Sequence, residues 1–270
     1  MTSKKLGAVA ASIRSLRHVA SPVTSQIGNS AVVLAYHDIV PNGSETIEYM
    51  VDEDTFISQI ETVRTLGYTF RTLTDLSADL LADRPVAGCA AIVFDDALVG
   101  VYDIAMPYLD AHKIPWTLLP VTDRLGVTPA WWPGANRTMT REEVMEAVDA
   151  GADLCAHTTT HISLPDVDAD AAFNELVRSR EALSELSGRE VVDLCYPFGH
   201  QDAQIREMAK RAGYRTGWTF TNGRCSSGDD PFKLKRMAMR NDVGELHWLV
   251  TLLRPKVSWP PVQDLKRGSL

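Results

Sequence analysis

The sequence predicts an α/β fold with parallel strands, an α/β barrel or sheet, in a single domain. Short continuous apolar runs, read as buried strands, alternate from about residue 30 to residue 219 with longer segments whose apolar residues recur every three to four positions, read as helices. The connections between them are short, which suits strand–helix–strand crossovers. No internal repeat, low-complexity tract or linker interrupts the 270 residues, and a 45% hydrophobic, 23% charged composition can bury a sizeable core.

Ser30–Ile39, S-A-V-V-L-A-Y-H-D-I, opens as an apolar run and predicts a strand that ends before the turn P-N-G-S. Asp52 is placed to cap a helix from Glu53 to about Leu66, with Phe56, Ile60, Val63 and Leu66 on one face and Gly67 as terminator. Tyr68–Thr72 follows as a short strand and Leu73–Leu81 as a helix. Ala90–Phe94 is a buried strand with Asp95 and Asp96 directly after it. Val101–His112 has helical spacing, with a kink expected at Pro107. Trp116–Val121 is a strand, and residues 126–138, which hold two Pro, two Gly and the pair Trp131 and Trp132, form a long loop. T-R-E-E at 140–143 is a capping box opening a helix that runs to Gly151. Asp153–Ala156 is a short strand and Ala171–Ser187 a long amphipathic helix capped by Asp170. Val191–Tyr196, Asp202–Ala212 and Tyr214–Thr219 complete the series as strand, helix and strand.

A formal net charge of −8 argues against a nucleic-acid surface as the main business of the chain, and no run approaches a membrane span. Cys89, Cys155, Cys195 and Cys225 contain no C-x-x-C pair, so buried small hydrophobes are expected rather than a zinc ribbon or redox couple. Residues 1–29 form a basic segment in which Ile13, Leu16 and Val19 suit a short amphipathic helix, packed on the domain or in weak contact with anionic lipid. The apolar stretch Leu6–Ala11 is too short for an export signal and is followed by Arg14 and Arg17, so a cytoplasmic location is expected.

Functional residues of parallel α/β folds gather where strands end. Here those positions hold His37 and Asp38, then Asp95 and Asp96, then His157 and His161, then Tyr196 to Gly199. Two histidines and one carboxylate with an open position suit a catalytic divalent metal. If Asp96 binds it, Asp95 is free to act as a base on water. Each motif alone has a plainer reading. The aspartates could be a solvated pair at a helix N-terminus, His157 and His161 could be hydrogen-bonding loop residues, and His37 could be a core histidine. Their recurrence at successive strand ends favours a metal centre.

V-V-L-A-Y-H-D-I (32–39), I-V-F-D-D-A (92–97), H-T-T-T-H (157–161) and C-Y-P-F-G (195–199), in this order and spacing, resemble the polysaccharide deacetylase family, also called the NodB-homology or carbohydrate esterase 4 family. The resemblance covers roughly residues 31–240 and implies a single-domain distorted (β/α) barrel that hydrolyses N-acetyl groups of amino sugars with a divalent metal, usually zinc. It implies Asp95 as catalytic base and Asp96, His157 and His161 as metal ligands. Thr158 matches the small hydroxyl residue after the first histidine. Tyr196, Pro197, Phe198 and Gly199 match a groove wall where a backbone N–H helps hold an oxyanion. His37 is the expected general acid and His200 a further candidate, whereas His247, in G-E-L-H-W-L-V, is expected on a helix away from the site.

Two positions depart from the family pattern. Ala97 stands where glycine is usual, which matters only if the backbone there needs φ > 0. Cys195 stands where many members carry an arginine that orients the base. The expected substrate is a carbohydrate, with Trp131, Trp132 and Tyr196 either stacking on sugar or serving the core. A hydrolase of another linear or cyclic amide is the alternative, and a non-catalytic carbohydrate-binding module the third reading, against which the intact Asp95, Asp96, His157 and His161 argue. The expected boundaries are 1–29 for the basic segment, 30–245 for the deacetylase domain and 246–270 for a C-terminal helix and tail.

Overall fold

A computed structural model describes residues 28–241 and Leu252. The expectations for the N-terminal helix, His247 and the C-terminal tail lie outside these residues. In chain order the elements are β1 (Val32–Tyr36), β2 (Asp38–Val40), β3 (Met50–Asp52), α1 (Glu53–Thr65), β4 (Thr69–Arg71), α2 (Leu73–Leu81), β5 (Cys89–Asp96), α3 (Met106–Ala111), β6 (Thr117–Pro120), α4 (Arg141–Asp149), β7 (Asp153–Leu154), α5 (Ala169–Ser187), β8 (Asp193–Cys195), α6 (Ala203–Arg211), β9 (Thr216–Asn222) and β10 (Leu234–Ala238). No helix among the described residues is long and apolar enough to cross a membrane.

The strands run β7-β6-β5-β1-β10-β9-β8, every pairing is parallel, and β4 adds to the first part of β5. A single bridge between Ala156 and Leu194 joins the two ends, so the sheet curls into a barrel with one narrow seam. This is the distorted (β/α) barrel expected of the NodB-homology type. Strand alternation sorts the apolar residues into two layers. Val33, Ala35, Ala91, Val93, Leu119, Cys155, Cys195, Trp218 and Leu234 fill the inside, whereas Val32, Leu34, Ile92, Phe94 and Leu118 pack under the helices.

Helix α2 closes the end of the barrel where the strands begin. Its Leu73, Leu76 and Leu80 join the interior cluster, while Leu73 N–H donates to Thr117 Oγ1 at 2.8 Å and Thr74 N–H to Asp153 Oδ2 at 3.1 Å. Thr74 and Thr216 hydroxyls satisfy Asp193 in the same layer. With that end sealed, the strand C-termini are the open end.

Local chemistry sets the element boundaries. Asp52 caps α1 through Thr55 N–H and the Thr140–Glu143 capping box opens α4. The cap of α5 is Asp168 rather than Asp170, because its carboxylate receives the N–H groups of Asp170 and Ala171. The segment 101–112 is helical, with a π-turn over Val101–Ala105 running directly into α3, and this widened turn immediately precedes Pro107, which has no N–H to give. The first apolar run breaks at His37 into β1 and β2, and β2 pairs with β3, a strand too short to leave a pattern. All four cysteines are free thiols, three of them buried.

Candidate active site

Asp95 and Asp96 are the last two residues of β5, held in register by β6. Beyond them the chain turns sharply, with φ of 66° at Asp96 and 53° at Ala97. The departure at Ala97 therefore matters, because left-handed backbone with a side chain costs roughly 1–2 kcal/mol per residue. Thr158, His161 and Phe198 also have positive φ, so strained backbone concentrates at this end of the barrel.

His157 and His161 leave the seam beside β7 and converge on Asp96. His157 Nδ1 donates to Cys195 O at 2.9 Å, which directs its Nε2 toward the carboxylate. The loop between the histidines is held by Glu175 of α5. Its Oε2 accepts the N–H groups of Thr159 and Thr160 at 2.8 and 3.0 Å, and its Oε1 the Thr160 hydroxyl at 2.6 Å. His161 N–H donates to Thr158 Oγ1 at 3.1 Å. Asp96 Oδ1 ends 3.5 Å from His157 Nε2 and 3.1 Å from His161 Nε2.

These donors fit a divalent ion. Asp96 Oδ1 is buried without a hydrogen-bond donor, an arrangement costly to leave unmet. Burial pushes the Asp96 carboxyl up, but His161 and His157 outweigh it and hold the group well below the ordinary carboxylate range, as a ligand oxygen requires. Among the described residues, two trios bring ligand atoms within 4.8 Å of one another, Asp96–His157–His161 and Asp95–His157–Cys195. Only the first is free of a competing cation, because both Asp95 oxygens accept from a guanidinium.

Their partner is Arg236 of β10, whose Nη1 and Nη2 donate to Asp95 Oδ1 and Oδ2 at 2.6 and 3.0 Å. Arg236 Nε donates to Thr219 O at 3.0 Å, so the guanidinium is fixed in a fork against the carboxylate. Burial raises the Asp95 carboxyl, yet Arg236 and then His37 lower it below its ordinary value. A guanidinium thus meets Asp95 although position 195 holds a cysteine. The sequence reading missed β10, because Lys235 and Arg236 interrupt an otherwise apolar L-K-R-M-A. It also missed Glu175, although that residue lies on the buried stripe of α5 with Ala172, Leu176 and Ser179.

His37 Nε2 lies 3.8 Å from Asp95 Oδ2. Its ring meets those of Tyr49, Trp132 and Phe220 at centroid distances of 5.1, 5.6 and 5.7 Å. Asp38 takes the side-chain amide of Asn136 at 2.7 Å. Across the opening, Tyr196 is buried with its hydroxyl donating to Phe232 O at 3.3 Å, and Pro197 is buried beside it. Phe198 is 38% exposed and forms the rim. Gly199 allows a close approach, since a Cβ there would lie 2.5 Å from Phe220 N. His200 sits outside, its Nδ1 3.0 Å from Ser163 Oγ.

Residues 82–217 match the family model described as polysaccharide deacetylase. The poly-β-1,6-N-acetyl-D-glucosamine N-deacetylase of Staphylococcus epidermidis is 25% identical over 80% of this chain and 81% of that protein. Its Staphylococcus aureus counterpart is 21% identical over the same shares. Among solved structures, the Streptococcus pyogenes deacetylase PplD in complex with acetate has a TM-score of 0.72 at 22% identity, covering 84% of this chain and 99% of that one. IcaB from Ammonifex degensii has 0.71 at 23% identity, covering 85% and 98%. Both share the fold. With its fold, its motifs and about half its length matched by the family model, the chain belongs to the polysaccharide deacetylases, hydrolases that cleave the carbon–nitrogen bond of N-acetyl groups.

Proposed function

We infer that the chain removes acetyl groups from β-linked N-acetylglucosamine units of an oligo- or polysaccharide, with Asp95 as base and a divalent ion held by Asp96, His157 and His161. The relatives named for poly-β-1,6-N-acetylglucosamine motivate the substrate class, and two nitrogens with one carboxylate oxygen suit zinc. The catalytic unit is residues 30–245. One observation carries the assignment of roles. The two adjacent carboxylates have opposite surroundings, one locked to a guanidinium and the other facing two imidazoles.

A bound divalent ion supplies Lewis acidity, which lowers the pKa of the attacking water and polarises the acetyl carbonyl. Asp95, kept ionised and oriented by Arg236, accepts the water proton as the C–O bond forms. In the Tyr-Pro turn the N–H groups of Tyr196, Gly199 and His200 are bound to Trp218 O, Tyr196 O and Pro197 O. The Phe198 N–H is therefore the donor for the oxyanion. Collapse breaks the C–N bond, acetate leaves, and the proton that Asp95 took from water passes by way of His37, whose Nε2 lies 3.8 Å from Asp95 Oδ2, to the amine. The exposed ring of Phe198 and the half-buried rings of Trp132 and Phe220 suit pyranose rings. Acetate release from β-1,6-linked and β-1,4-linked N-acetylglucosamine oligomers tests the proposal. The β-1,6 series should be preferred, activity should stop with a chelator, and added zinc should restore it; chelator-resistant release would overturn the metal role.

A further inference from the structure

His161 is held differently from its neighbour. His157 has an ordinary hydrogen-bonded anchor in Cys195 O, whereas His161 Nδ1 is buried with no hydrogen-bond partner. A metal-ligating imidazole usually donates its second N–H to a carbonyl or carboxylate that fixes the ring. Trp131 occupies that role by other means. Its indole stacks on the His161 ring at a centroid distance of 4.6 Å and an interplanar angle of 17°, with Phe198 meeting the same ring edge-on at 4.6 Å. Its Nε1–H donates to Asp96 Oδ2 at 3.1 Å, which leaves Oδ1 as the oxygen facing both imidazoles. One side chain thus sets the ring plane of one ligand and the carboxylate rotation of another.

The loop that carries Trp131 is built to hold it there. Its base is tied to the turn after β5, with Met139 N–H donating to Ala97 O at 2.7 Å and Val99 N–H to Arg137 O at 2.9 Å. Thr138 bridges the loop's two arms, donating its hydroxyl to Val127 O and receiving Val127 N–H. Asn136 reaches across to Asp38. We propose that Trp131 is a positioning residue for the metal centre, orienting Asp96 and His161 jointly through its N–H and its ring face. The proposal rests on the metal-binding role given above to these ligands.

Cobalt and zinc titrations of the chelated full-length chain, read by calorimetry and by the visible absorption of bound cobalt, test it. Trp131→Phe keeps a ring face and loses the donor; Trp131→Leu loses both. Loss of such supporting contacts costs roughly 10–100-fold in metal affinity, so Trp131→Phe should fall near the low end and Trp131→Leu near the high end. The cobalt bands should change in both, while the melting temperature of the metal-free protein stays near that of the parent, since the indole is half-buried on a loop. Parent-like cobalt and zinc affinity in both variants would overturn the proposal, even if KM for the sugar rises, because Trp131 would then act only as a sugar platform. A parent chain that takes up neither metal would instead overturn the metal reading itself.

Discussion

Arg236→Met is the perturbation that most directly probes how Asp95 is held. Both side chains are almost fully buried, at 1% and 3% relative exposure, and their two hydrogen bonds are 2.6 and 3.0 Å long. Removing the guanidinium strands a buried carboxylate and leaves Thr219 O without its donor. Breaking one side of a buried ion pair costs about 3–5 kcal/mol. At about 2–4 °C per kcal/mol for a domain of this size, the melting temperature should fall by roughly 6–20 °C. Turnover should fall by roughly 10²–10⁴, the range of a mispositioned general base. Asp95→Asn retains one acceptor oxygen for Arg236 and should cost less stability. Combined with Arg236→Met it leaves no unpaired charge, so the double variant should be clearly more stable than the sum of the single losses. Denaturant unfolding of all four proteins measures the cycle. Strict additivity, within about 0.5 kcal/mol, would refute the idea that these groups stabilise each other.

Glu175→Ala removes the acceptor for two backbone N–H groups in the histidine loop, so zinc affinity should drop by roughly tenfold or more in a calorimetric titration. Thr160→Ser, which keeps the hydroxyl on Glu175, should leave it unchanged. His37→Gln should retain zinc by elemental analysis yet lower acetate release by roughly 10²; unchanged turnover would remove His37 from the chemistry. Asp193 gives a pH prediction away from the metal. Burial pushes its carboxyl up to about 6 from an ordinary 3.8, against the bonds from Ser77, Thr216 and Thr74. Between those values the folded chain binds the extra proton, so this group's contribution to stability declines as pH rises from about 4 to about 6 and then levels. The shift corresponds to a change on the order of 3 kcal/mol. Asp193→Asn should remove that slope, gaining on the parent in denaturant midpoint as pH climbs; parallel curves for the two would reject it.

Much of the barrel is legible in the sequence because its strands are covered on both faces, and V-V-L-A-Y or A-A-I-V-F can only be buried runs. What escaped detection has a common physical cause. A charged residue pointing into a barrel breaks the apolar run that would reveal its strand, and Arg236 does this in β10. Met50–Asp52 is too short for any period, and Asp168 and Asp170 compete for one cap, which geometry alone decides. The four residues Asp95, Asp96, His157 and His161 were visible because strand ends in a parallel sheet converge. Trp131 was visible only as an aromatic in a Pro- and Gly-rich loop; its aim depends on backbone bonds to Ala97 and Val99 that no periodicity encodes. Tyr196 reads as a groove residue in its motif, yet its side chain is spent on the Phe232 carbonyl in the core.

Acetate release from a β-1,6-linked N-acetylglucosamine oligomer by zinc-loaded parent and Asp95→Asn, with the metal content of both determined on the same samples, tests the central claim most directly. The two carboxylates are assigned separate work, so Asp95→Asn should carry the same zinc as the parent and release acetate roughly 10²–10⁴ times more slowly. Equal rates at equal zinc would show that Asp95 is not the base, and the division of labour between Asp95 and Asp96 would fall with it.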